Sequence, residues 1–179
     1  MKKSIGIWQL WGFAVTSLLG TLLHFLYDLF GKSVWVAPFS GVNESTYEHM
    51  KLLFWPMFAF AVIERFFFSE RTDFWCIKLR GILLGQILIP VIFYTYNGAV
   101  SPSPDWLNIA IFFIAAAISF LYESKKLKES NVSCSHPKLA FSLLIAIALL
   151  FFVFTFRTPK LGIFKDPLTG NYGISIFKS

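Results

Sequence analysis

An all-α, polytopic transmembrane bundle of five spanning helices is the fold class this sequence predicts. Three observations lead there. Across 179 residues, 56% are hydrophobic, 19% aromatic and only 15% charged, and the mean hydropathy of +0.63 lies far outside the range of a soluble domain. The apolar residues fall into runs near the roughly 20 that a helix rising about 1.5 Å per residue needs to cross a hydrocarbon core. Lys and Arg gather in alternate connecting segments, the asymmetry that orients membrane helices.

The spans are expected at Ile5 to Phe30, Tyr47 to Phe68, Gly81 to Val100, Trp106 to Tyr122 and Leu139 to Phe156, all helical because lipid leaves backbone groups no other partner. The first run follows Met1-Lys2-Lys3 as a secretory signal would. It is longer than a signal core, carries His24 and Asp28, and lacks a small-residue cleavage site, so it is read as the first span. Along it Gly12, Thr16, Gly20, His24 and Asp28 recur every fourth residue. Gly12 to Gly20 reads as a helix-packing face, and the stripe drifts by about 40° per step. Pro56 and Pro90 lie inside the second and third spans, where each removes a hydrogen bond and bends the axis. Two such bends can open a cavity between neighbours. Gly81 and Gly85 repeat the small-residue device. Pro137 suits the first turn of the fifth helix, and Trp8, Trp11, Trp35, Trp75 and Trp106 read as interfacial anchors.

Lys2 and Lys3, then Arg65, Arg71, Lys78 and Arg80, then Lys125, Lys126, Lys128 and Lys138 mark one face of the membrane. The positive-inside rule makes that face cytoplasmic, with the N-terminus in and the C-terminus out. Arg157, Lys160, Lys165 and Lys178 run against this, in a turn-rich outer tail over residues 157–179 that carries Pro159, Gly162, Asp166-Pro167, Gly170 and Gly173. The net charge of +6 then reflects loop asymmetry and contact with anionic lipid, and no nucleic acid is needed to explain it. Cys76 and Cys134 fall on the cytoplasmic face and are expected as free thiols. Glu64, Arg65 and Glu123 near that face are expected to pair with its basic loops.

Ionisable groups concentrate at the other face. His24 lies 19 residues after Ile5, near the outer end of the first span, and Asp28 stands one turn further out. The chain re-enters through Asn43-Glu44-Ser45-Thr46-Tyr47-Glu48-His49, which brings all five ionisable side chains to one depth. Ser45 and Glu48 also fit a capping box. Capping leaves His24, Asp28, Glu44 and His49 unexplained, and intramembrane ionisable residues usually have a job. Imidazoles with a carboxylate suit one divalent metal, zinc first, with iron or manganese for a two-His, one-carboxylate set. The expected ligands are His24, His49 and one of Asp28 or Glu44. Glu48 points about 100° away from His49 on a helix and is read as cap or general base, with Asp28 as a second catalytic carboxylate. Glu44, Ser45, Tyr94 and Asn97 are candidate ligand-binding residues, with Tyr96 and Asn108 nearby. A metal-free reading is a His and carboxylate network that binds a cation or relays protons.

Two stretches, Val36-Ala-Pro-Phe-Ser-Gly-Val-Asn-Glu-Ser-Thr-Tyr-Glu-His-Met-Lys51 and Asp166-Pro-Leu-Thr-Gly-Asn-Tyr-Gly-Ile174, resemble a family of small bacterial integral membrane proteins of unknown function. That resemblance implies a multi-pass protein of the bacterial cytoplasmic membrane and no particular activity. A fainter likeness to ceramidase-like hydrolases, which hold a metal with His and Asp from several helices, is offset by five spans and two usable histidines here. The function expected from the residues is metal-assisted hydrolysis or modification of a lipid or amphiphile at the outer interface. The alternatives are a small-molecule-binding subunit of a transporter, or a structural or sensing protein. The expected partners are membrane lipid and a second membrane protein or a second copy of the chain.

Overall fold

The computed structural model describes residues 2–99, 105–130 and 132–174. It is all-helical: α1 (Lys2–Leu29), α2 (Thr46–Phe67), α3 (Phe74–Ala99), α4 (Asp105–Lys128) and α5 (Pro137–Phe156), followed by a short 3-10 turn, η1 (Gly162–Phe164). Four of them, α1, α3, α4 and α5, are long and apolar enough to cross a membrane. The exception, α2, carries Glu48, Lys51, Glu64 and Arg65. Its position explains the composition. It packs against α1, α3, α4, α5 and η1, and Leu53, Phe54, Met57 and Ala61 are almost wholly enclosed. A helix surrounded by protein can carry polar groups that a lipid-facing helix cannot. By contrast, α5 turns Leu139, Leu143, Leu149 and Phe152 outward.

Consecutive helices run up and down through the bundle. One end gathers the α1 C-terminus, the α2 N-terminus and the α5 C-terminus, where the Tyr47 hydroxyl donates to the Phe151 carbonyl at 2.8 Å. The opposite end joins α3 to α4, where Lys78 meets Glu123. Close approach of α1 to the core rests on glycine. A Cβ on Gly12 would lie 2.5 Å from Phe120 and 2.7 Å from Phe60, and one on Gly20 would overlap Phe112. Aromatic knobs therefore fill the gaps left by small residues, as packing without a hydrophobic drive requires. Gly85 likewise admits Leu53 and Ser119.

Several expectations need correction. Both α3 and α4 extend beyond their apolar runs, α3 starting at Phe74 and α4 ending at Lys128. No Gly or Pro interrupts residues 74–80, so the helix continues through Lys78, which is a buried helical residue and not a loop cation. Cys76 and Cys134 are joined as a disulfide with Cα atoms 5.9 Å apart, so the first turns of α3 hold the α4–α5 connector and neither thiol is free. The capping box is not formed. Ser45 occupies the N-cap with extended backbone but no side-chain bond, the Ser45 N–H instead reaches Asn43 Oδ1 at 2.9 Å, and Glu48 accepts from the Val42 N–H at 3.1 Å.

The tail is an ordered cap over the α2 N-terminus. Phe164 packs on Tyr47 with ring centroids 4.5 Å apart and planes tilted by 39°, Ile174 packs with Tyr27 and Ala37, and Lys165 bridges to Tyr172. Asp166 folds the turn between them, accepting from the Leu168 N–H and the Thr169 hydroxyl. At Gly173 φ is +61° and a Cβ would overlap Thr158, so only glycine fits. Its carbonyl accepts from Asn43 Nδ2 at 3.2 Å, which ties the tail to the loop carrying Glu44. The stretch 175–179 lies outside the described residues.

Candidate metal centre

His24 stands in the penultimate turn of α1, His49 in the first turn of α2, and Glu44 just before α2 on the connecting loop. The fold brings these three together. Glu44 lies between the imidazoles, Oε1 3.5 Å from His24 Nε2 and Oε2 3.6 Å from His49 Nε2. The ring centroids are 5.8 Å apart, and one donor atom from each residue falls within 4.8 Å of the others. Among the described residues this is the one group of three or more His, Cys, Asp or Glu with such spacing.

The separations suit ligands around one ion. Bonds of about 2.0 Å in a tetrahedron put neighbouring donor atoms about 3.3 Å apart, close to the spacings from Glu44. Orientation agrees with distance. His49 Nδ1 lies 3.0 Å from the Ser45 carbonyl oxygen, and since a carbonyl only accepts, Nδ1 carries the hydrogen. In neutral imidazole that leaves the Nε2 lone pair free on the side of Glu44, the arrangement by which an outer hydrogen bond aims a metal-binding histidine. All three residues are partly buried, with side-chain exposures of 30% for His24, 17% for His49 and 39% for Glu44.

Both histidines also line a cavity of about 140 Å³ between α1, α2 and α4. Its other walls are Gly20, Thr21, Phe25, Leu52, Ile109, Phe112 and Phe113. Two members of the polar trio, His24 and His49, thus border an apolar recess, as in sites that orient a hydrophobic ligand with a few polar groups.

Other expected site residues lie elsewhere. Glu48 is buried and faces away, its carboxylate 2.7 Å from Lys51 Nζ and bonded to the Val42 N–H. Lys51, wholly enclosed, donates also to the Ala37 carbonyl at 2.8 Å and the Thr155 hydroxyl at 3.3 Å. This pair pins the loop and α5 to α2, and its side chain is not free to act as a base. Asp28 is exposed and outside the trio. Ser45 contributes its carbonyl to His49 and not its hydroxyl. Tyr94 is half-exposed on α3, and Asn97 bonds the Phe93 carbonyl of its own helix. Lys51 is the residue that sequence reasoning missed: its spacing three after Glu48 signals an i, i+3 ion pair, which accounts for Glu48 without chemistry.

Outside the membrane-spanning helices, Asp73 shows the strongest electrostatic tuning. Burial pushes its carboxyl up, but Arg71, the Val132 N–H and local backbone donors outweigh this and hold it below the ordinary carboxylate range. Arg71 grips both Asp73 oxygens and also donates to the Leu127 and Glu129 carbonyls, so the α2–α3 connector is clamped to the end of α4.

An all-helical chain with four helices long and apolar enough to cross a membrane is compatible with the class of multi-pass membrane proteins. The chain belongs to a family of unknown function, DUF6512, whose model matches residues 1–174. No curated protein and no solved structure matches it.

Proposed function

We propose that this chain is a five-pass protein of the bacterial cytoplasmic membrane, N-terminus in and C-terminus out, that holds one zinc ion with His24, Glu44 and His49 and hydrolyses or modifies a lipid or other amphiphile at the outer leaflet. The carrying observation is the His24–Glu44–His49 trio, whose two imidazoles line the 140 Å³ apolar recess. Three protein ligands with room for a fourth are the pattern of catalytic rather than structural zinc. Such an ion lowers the pKa of bound water and polarises a carbonyl. Around it, Ser45 fixes the tautomer of His49, while Phe25, Leu52 and Phe112 accept an apolar chain and exclude water. With α2 counted as a fifth crossing, the trio and the Lys- and Arg-rich connectors fall on opposite faces, in line with the charge rule.

The withdrawal of Glu48 into its pair with Lys51 favours a second reading, a binding subunit that uses the same centre to grip a small polar headgroup without hydrolysis. Elemental analysis tests the shared premise. Protein purified without chelator is expected to carry one zinc per chain, lost in His24→Ala and His49→Ala. A wild-type preparation free of transition metal overturns it. Release of fatty acid or headgroup from lipid vesicles by the zinc-loaded protein separates hydrolysis from binding.

A further inference from the structure

At the opposite end of the bundle each of four helices contributes one polar side chain to a closed cluster: Gln9 from α1, Glu64 from α2, Lys78 from α3 and Glu123 from α4. None is more than 3% exposed. Lys78 Nζ lies 2.6 Å from Glu123 Oε2 and also pairs with Glu64, while Gln9 Nε2 donates to Glu64. The rings of Phe74 and Phe120 stand 5.6 and 6.0 Å from the ammonium. The contact is designed into the backbone, because a Cβ on Gly81 would overlap the Glu123 carboxylate.

The charges do not balance. Two carboxylates share one ammonium, and a net charge left inside a low-dielectric bundle is expensive. Among the described residues no other charged group pairs with the cluster. On α2, Arg65 donates to the Phe68 carbonyl and lies over the Phe74 ring. On α4, Lys128 reaches toward Gly6 of α1, and Ser119 donates to Ala115. The one charged residue of α5, Lys138, is exposed. Buried Glu123 Oε1 and Gln9 Oε1 have no hydrogen-bond donor, and Glu64 Oε2 has only its ion pair with Lys78. Both facts call for one more positive charge that takes up no space.

We infer that the Glu64–Lys78–Glu123 cluster is a proton-binding site, holding one proton shared between the two carboxylates and drawn from water at the basic face. Gln9 serves either state, since its amide can donate to a carboxylate or, turned over, accept from a carboxylic acid. It also lines a cleft of about 410 Å³ between α1 and α4 bordered by Ser124 and Lys128, a route along which the proton can enter. Uptake brings the cluster to neutrality; release leaves it with one negative charge. This gives the bundle a protonation step independent of the metal centre.

Infrared spectroscopy of the full chain in lipid nanodiscs at pH 7, with carboxyl-labelled glutamate, tests this. The wild type is expected to show one protonated-carboxyl C=O band per chain, moved by the label. Either Glu64→Gln or Glu123→Gln abolishes it, because the remaining carboxylate is then matched by Lys78, and Lys78→Met doubles it. A wild-type spectrum without the band overturns the inference, and needs no variant to fold. A band surviving in either glutamine variant places the proton elsewhere and overturns it equally.

Discussion

His49 Nδ1 stands 3.0 Å from the carbonyl oxygen of Ser45, four residues earlier, and this contact between a ring and its own helix start decides which nitrogen faces Glu44. Because the partner is main chain, the aim of the imidazole does not depend on a neighbouring side chain. Loss of either imidazole is therefore expected to weaken zinc binding by at least about 100-fold, more than the loss of an outer-shell partner. Chelator competition on His24→Ala, His49→Ala and the exposed Asp28→Ala is the measurement, with Asp28→Ala matching wild type.

Glu48 and Lys51 form a pair enclosed on all sides. Removing one partner strands the other, so Glu48→Gln or Lys51→Met should each cost about 3–5 kcal/mol. Replacing both together recovers most of that loss. Denaturation in detergent reads the cycle, and a double variant that loses the sum of the two single losses would show that the pair is not coupled.

Gly20 faces Phe112, a wall of the recess beside the histidines. An alanine there has to push the ring, at a cost of about 1–3 kcal/mol, and shrinks the recess. Gly98 has open space around it, and Gly98→Ala leaves stability unchanged or raises it by up to about 1 kcal/mol. Thermal unfolding of the two variants side by side tests the packing of α1 against α4.

Acid should loosen the connector before the bundle. Asp73 is held below its ordinary range in the folded chain, so its stabilising effect is complete above the unfolded value of about 3.9 and is lost as pH falls through the lower folded value. In Asp73→Asn this part of the acid dependence disappears. Hydrogen exchange of residues 69–73 and 126–132 between pH 5 and 2 follows it.

The disulfide lies on the face richest in Lys and Arg, where two physical rules pull in opposite directions: positive charge marks a cytoplasmic face, and that compartment keeps thiols reduced. The bond therefore tests the proposed orientation: thiols at Cys76 and Cys134 trapped by alkylation in intact cells, with the disulfide closing only after isolation, support a cytoplasmic face. A bond already closed in cells would put this face outside and reverse the orientation.

How much of this was legible in the sequence follows from which forces act locally. Lipid imposes length and hydropathy on each helix separately, so the apolar runs of α1, α4 and α5 stand out. The starts of α3 and the end of α4 do not, because Lys78 and Glu123 are tolerated there only by meeting each other in space. The convergence of His24, Glu44 and His49 was legible, since helix rise puts both imidazoles at one depth and Glu44 lies on the short connection between them. The fate of Glu48 was not: its direction depends on Val42 and Lys51 offering it partners on the inner side. Pairing of Cys76 with Cys134 likewise depends on where the α4–α5 connector passes, which no local pattern records.

The bond from Asn43 to the Gly173 carbonyl has a consequence for biosynthesis. Residues 157–174 leave the ribosome only after all five helices, yet they steady the hairpin that presents Glu44. Insertion into the bilayer can therefore finish before the loop that carries Glu44 is tied down, and that tie forms only once translation has passed the tail.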